Sequence, residues 1–137
     1  MRYDPAKRDA LLADFTPAQP PARLGNGARI AGHRWAEDGQ IQVAWQVEQG
    51  PPAAEYHFTV YYFDGESAVA QTDGPSYVAA YWRPGDIIVN WFALAQQDAD
   101  APSLELRAAM YTYPGIERVF AVDAAGNPVA DSVQLDD

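Results

Sequence analysis

The chain predicts an all-β fold: an antiparallel β-sandwich of about eight short strands. Three observations lead there. Apolar residues recur with period two over runs no longer than single strands. The 11 prolines and 10 glycines fall between those runs rather than inside them, which suits short strands joined by turns better than long helices. Runs that are apolar on both faces stand beside runs apolar on one, a mixture that two stacked sheets accommodate better than one closed sheet.

In chain order, residues 1–22 read as an approach segment and residues 23–137 as the sandwich domain. Asp9 to Phe15 has the spacing for one or two helical turns, with Leu11, Leu12 and Phe15 on one side. Pro17, Pro20 and Pro21 then stop any helix and favour extended geometry. The segment reads as a linker docking its apolar side on the core, with a disordered lead-in as the alternative.

Gly25-Asn26-Gly27 turns the chain into a first strand, Ala28 to Trp35, and Asp38-Gly39 is a hairpin signal. Gln40 to Glu48 is the clearest half-buried strand, with Ile41, Val43, Trp45 and Val47 on one face and Gln42, Ala44, Gln46 and Glu48 on the other. Glu55 to Phe63 is apolar or aromatic on both faces: Tyr56, Phe58, Val60 and Tyr62 against His57, Thr59, Tyr61 and Phe63. Such a strand is central in a sandwich or has its second face covered. Asp64-Gly65 leads into a short hairpin partner, Ser67 to Gln71, and Asp73-Gly74-Pro75 reads as another turn.

Tyr81 to Leu94 reads as the organising stretch. Pro84-Gly85 combines a fixed φ with a residue free to take positive φ, and Ile87 to Leu94 has the composition of a central strand. Trp82, just before the turn, is a large apolar anchor. After the acidic loop Gln96 to Pro102, Leu104, Leu106, Ala108 and Met110 alternate against Glu105, Arg107, Ala109 and Tyr111. Tyr113-Pro114-Gly115 turns, Arg118 to Val122 is short and apolar, Gly126-Asn127 turns again, and Val129 to Leu135 closes the domain. The expected topology is immunoglobulin-like or jelly-roll.

Charge and composition exclude several functions. A formal charge of -10 opposes binding to a nucleic-acid backbone or an anionic lipid surface. With no cysteine there is no disulfide framework and no thiolate chemistry. No apolar run reaches the roughly 20 residues of a membrane helix, so direct membrane insertion is not expected, and the N-terminus lacks the apolar core of a signal peptide.

Five stretches together carry a resemblance. Glu55 to Asp64 resembles a "D-Y-x-V-F-V-H-L-x-D" strand, and Val69-Ala70-Gln71-Thr72-Asp73 a "V-A-Q-x-D" hairpin return. Trp82 to Ile88 is similar to "W-x-P-G-E/D-V-V", and Leu104 to Tyr111 to "Y-x-L-x-V-G-L-Y". Val122-Asp123 with Asp131-Ser132-Val133 resembles a closing "V-x-D…D-x-V-x-L". These are motifs of the soluble β-sandwich domain found C-terminal to multi-spanning bacterial glycosyltransferases of the dolichyl-phosphate-mannose–protein mannosyltransferase type, and in other membrane-linked contexts. The resemblance covers residues 23–135. The chain departs from the pattern at Asp98 to Ser103, which lacks the expected glycine, and at Ala108-Ala109 in place of Val-Gly. It implies an extracytoplasmic accessory domain, not the catalyst, whose partner is a membrane-embedded domain of the same or another chain.

The residues themselves offer little for catalysis. His33 and His57 are the only histidines, in no metal-ligand spacing, and no serine sits in a nucleophile elbow. Asp64, Asp73 and Asp123 are explained by Asx turns, with a turn-bound Ca²⁺ as the one metal alternative. No cofactor is implied and no enzyme is expected of the domain by itself. The aromatics are the most informative group. Tyr61, Tyr81 and Trp82 form a candidate platform for stacking on sugar rings, with Asp86 as the acid that binds hydroxyls; the competing reading makes them core filler. A non-catalytic accessory or interaction domain is thus the first expectation, and a carbohydrate-binding module the second. An interaction module predicts a contiguous exposed apolar patch, a sugar binder exposed aromatics.

Overall fold

The computed structural model describes residues 10, 12–20, 22–36, 40–48, 55–75, 83–94, 104–113 and 117–135. Its elements are the strands β1 (Thr16–Pro17), β2 (Ala28–Trp35), β3 (Ile41–Val47), β4 (Glu55–Phe63), β5 (Ala68–Pro75), β6 (Ile87–Phe92), β7 (Glu105–Tyr113), β8 (Ala121–Val122), β9 (Pro128–Ala130) and β10 (Val133–Gln134). All pairings are antiparallel. One sheet has the order β1-β2-β3-β6, a second the order β10-β7-β4-β5, and β8-β9 is a separate hairpin. The protein is an all-β antiparallel sandwich, as its sequence predicts.

The alternation along β3 decides the core. Ile41, Val43, Trp45 and Val47 all point between the sheets and are essentially inaccessible, as are Phe58 and Val60 of β4 and Leu106, Ala108 and Met110 of β7. Trp45 meets Phe58 across the two layers with ring centroids 4.2 Å apart. That contact joins strands of both sheets at the centre of a larger apolar cluster, whose burial holds the layers together. The Trp45 indole N–H has no hydrogen-bond partner among the described residues.

The strand order is informative. Consecutive β3 and β4 lie in different sheets, and their neighbours β6 and β7 are also consecutive and also divided between them. In the immunoglobulin layout strands A, B and E share one sheet and C, F and G the other; β2-β3-β6 and β4-β7-β10 follow that order. One flank between the sheets is stitched shut. The Gln19 N–H donates to the Gln134 carbonyl at 2.9 Å, and Leu24 bridges Ala121.

Several expectations need correction in detail. Ile87–Phe92, expected to be central, pairs on one side only among the described residues, with β3, whereas β3 and β4 are each paired on both sides. Its turn is as expected: Gly85 has φ +94°, and the Asp86 N–H closes on the Arg83 carbonyl at 2.9 Å. Trp82, the expected anchor, lies outside the described residues, as does the Asp38-Gly39 turn. Asp73-Gly74-Pro75 does not turn; β5 continues through it, pairing Gly74 with Phe58 and Pro75 with His57. A sheet-end strand tolerates a proline that a central one would not. The closing segment is two strands, β9 and β10, interrupted at Asp131-Ser132.

Two irregularities shape the edges. In β5, Ala70 and Gln71 stand opposite the single residue Tyr61, and Ala70 has φ +53°. A bulge with a left-handed residue twists the strand and blunts it against pairing with another chain. In β2 the register shifts between Ile30 and Gly32. At Gly32 the chain passes hard against β1: a Cβ there would overlap the Thr16 carbonyl oxygen and lie 2.9 Å from its carbon.

Candidate functional site

The outer face of the β1-β2-β3-β6 sheet is built in rows. Cross-strand pairing puts Trp91, Gln42 and Arg34 in one row, Val89, Ala44 and Gly32 in the next, and Ile87, Gln46 and Arg29 in a third. The outer rows are polar ladders: Arg34 Nε donates to Gln42 Oε1 at 2.7 Å, and Arg29 Nη2 to Gln46 Oε1 at 2.7 Å. The middle row is small and apolar, and the approach segment lies on it. Phe15, 5% exposed, forms a second hydrophobic cluster with Ala44 and Ile87, flanked by Leu12, Ala31 and Val89. The Arg34 guanidinium stands 4.6 Å from the Phe15 ring centroid, and its Nη1 lies 3.8 Å from Asp14 Oδ2. Beside this covered strip Trp91 is 59% exposed, the most exposed large apolar side chain described.

A different surface lies at the β8-β9 end. Ala18, Pro20 and Ala22 of the approach segment face Val122, Ala124 and Val129 across an open groove of about 690 Å³. Arg23, Arg29 and Asp123 stand at its polar margin. Val129 is 51% exposed, and Phe120, which precedes β8, is 49% exposed. A second hollow of about 400 Å³ adjoins it through Arg23, Val122, Asp123 and Ala124, and there Arg23 Nε pairs with Glu48 Oε1 at 3.0 Å.

Of the predicted platform only Tyr61 and Asp86 are described, and they lie with different sheets. Tyr61 is 5% exposed, on the β4 face away from the core, with the Arg118 guanidinium 5.8 Å from its ring centroid. It lines a hollow of about 490 Å³ with Phe63, Arg107, Arg118 and Ser132. Arg107 there is held by Ser132 Oγ at 2.6 Å and Glu105 Oε2 at 2.8 Å. Asp86 belongs to the other sheet, buried at the start of β6, where its Oδ2 accepts the Arg83 N–H at 2.8 Å. Tyr81 and Trp82 lie outside the described residues. Of the residues that matter on the surface, Trp91 lies in the strand Ile87 to Leu94 expected from the sequence, where its aromatic side chain is the only signal; Phe120 and Val129 carried no local signal.

Asp64 and Asp123 serve their own turns. Asp64 Oδ1 accepts the N–H groups of Ser67 and Glu66, both at 2.8 Å, and Asp123 Oδ1 accepts those of Ala125 and Asn127, both at 2.9 Å. These bonds favour the ionised form, so both carboxyls titrate below the usual aspartate value, Asp64 chiefly through Ser67 and Asp123 chiefly through Asn127. His33 is buried in β2 opposite Val43, and His57 lies in β4 opposite Tyr111. Among the described residues no three His, Asp or Glu side chains converge as a metal site, and no helix is long and apolar enough to cross a membrane.

Comparison with protein-family models, with curated proteins and with solved structures finds no match. The resemblance to the glycosyltransferase-associated domain therefore stands on its five motifs alone.

Proposed function

We propose that this domain is a non-catalytic interaction module, acting as an accessory to a membrane-associated glycosyltransferase or similar cell-envelope machinery outside the cytoplasm. The observation that carries the reading is the apolar groove between Ala18-Pro20-Ala22 and Val122-Ala124-Val129, with Phe120 exposed at the same end. Exposed apolar side chains gathered along one groove with a charged margin are a signature of a protein-docking surface. The groove's wall is the segment by which the chain reaches the sandwich, so a partner held there is also held against the linker.

Photo-crosslinking tests this in the native host. A crosslinking residue at Phe120 or Val129 should give adducts dominated by one membrane-embedded glycosyltransferase, while the same residue at exposed Gln71, on β5, should not. Equal labelling at all positions, or none, would sink the proposal. Val129→Asp should abolish the adduct made from Phe120 without lowering thermal stability, because Val129 is half exposed.

A further inference from the structure

We infer that the row Trp91–Gln42–Arg34 with Asp14 is a binding site for a neutral oligosaccharide, separate from the docking groove and independent of it. The row combines an aromatic ring open to solvent with fixed polar groups on one flat sheet face. Trp91, Gln42 and Arg34 are direct cross-strand partners, so their side chains leave the same side of the sheet. From Trp91 on β6 to Arg34 on β2 the sheet spans two strand spacings, about 10 Å. That separation suits a short chain of sugar rings rather than a single ring.

Each residue has a distinct part. Trp91, 59% exposed and in neither hydrophobic cluster of the described residues, supplies the apolar surface on which the C–H face of a pyranose packs. Arg34 is preorganised, its Nε held by Gln42 at 2.7 Å and its plane set over Phe15 at 4.6 Å. Gln42, 4% exposed, is the bracket that fixes Arg34 rather than a ligand contact. The Nη edge of Arg34 donates to hydroxyl oxygens, and the Asp14 carboxylate, with its side chain 78% accessible, accepts from hydroxyl hydrogens. A hydroxyl both donates and accepts, so it is the group that fits an adjacent guanidinium and carboxylate. The two charges balance locally, and the chain as a whole carries -10, which disfavours an anionic polysaccharide. Fixing the donor in advance removes much of the ordering cost that weakens surface sites.

The test is isothermal titration of the whole chain with soluble tetrasaccharides of cellulose, xylan, mannan and starch type, and with tetragalacturonate as the anionic comparison. Saturable binding of at least one neutral oligosaccharide is expected, with weaker or no binding of tetragalacturonate. Trp91→Ala should weaken that binding by about tenfold or more and leave the melting temperature unchanged. Asp14→Asn keeps an acceptor without the charge and should weaken it by a few-fold. The inference is overturned if no neutral oligosaccharide binds at millimolar concentration, or if Trp91→Ala binds as the parent does. Tighter binding of tetragalacturonate than of every neutral sugar overturns it as well. Val129→Asp should bind sugar normally, so loss of the docking function and loss of this site are read apart.

Discussion

Gly32→Ala should detach the approach segment from the sandwich. The added methyl would overlap the Thr16 carbonyl oxygen and sit 2.9 Å from the carbonyl carbon, both backbone atoms with no rotamer to escape by. Strand β1 is only two residues long, paired Thr16 to His33 and Pro17 to Gly32, so it yields before β2 does. Its loss uncovers Phe15, whose burial contributes about 1.5–3 kcal/mol. The Arg34 guanidinium loses its ring contact, worth about 0.5–1 kcal/mol, and the short ladder loses about 1 kcal/mol more. Replacing a strand glycine by alanine returns about 0.5–1 kcal/mol. The net cost is about 2–4 kcal/mol, a large part of the stability of a domain of this size. Urea unfolding measures it, with an m-value slightly lowered because the detached segment is already exposed in the folded state, and hydrogen exchange locates it as lost protection at Gln19, whose N–H donates to Gln134. Phe15→Ala should cost about 2–3 kcal/mol, and the double variant less than the two together, because both release the same segment. If Gly32→Ala stays within about 0.5 kcal/mol of the parent and Gln19 remains protected, the close approach at Gly32 does not hold the segment and the reasoning fails.

Other outcomes follow from single features of the structure. Ala70→Gly should stabilise the domain by about 0.5–1 kcal/mol in chemical denaturation, because Ala70 holds φ +53° and glycine takes that conformation without strain; a loss of stability would mean that the bulge depends on the methyl. Trp45→Ala should cost about 3–5 kcal/mol while Trp91→Ala changes stability by less than about 0.5 kcal/mol, since the two indoles lie on opposite faces of one sheet. Equal costs would place Trp91 in a packed site. The lowered Asp64 and Asp123 carboxyls add a pH dependence. Their contribution is fully present above the unfolded value of 3.8 and is lost as pH falls through the lower folded value. Melting curves of the parent and of Asp64→Ala/Asp123→Ala should therefore differ by a constant amount above about pH 5 and converge in stronger acid. A gap that persists undiminished at the most acid pH would show that the bonds do not depend on ionisation.

What the sequence determined by itself is local and periodic. Successive strand side chains point to opposite faces whatever the strand pairs with, so the division of Ile41, Val43, Trp45 and Val47 from Gln42, Ala44 and Gln46 was legible without a partner in view. The turns at Gly85, Gly65 and Gly126 were legible for the same reason, each needing a positive φ that glycine takes readily. The tertiary structure decided what lies across from each strand. Ile87–Phe92 has a central strand's composition, yet among the described residues it pairs on one side only; its apolar side chains are explained by burial on both faces near its start, Ile88 in the core and Ile87 under Phe15. Asp73–Pro75 reads as a turn but pairs, because an end strand needs hydrogen bonds on one side only. The two-residue β1 and the left-handed Ala70 leave no pattern of their own, being imposed by contacts with β2 and β4. The surface followed the same rule. Tyr61 and Trp91 are both aromatic residues on the outer faces of their strands, yet one is covered and the other open. Exposure is a property of the neighbouring chain, and no residue carries it alone.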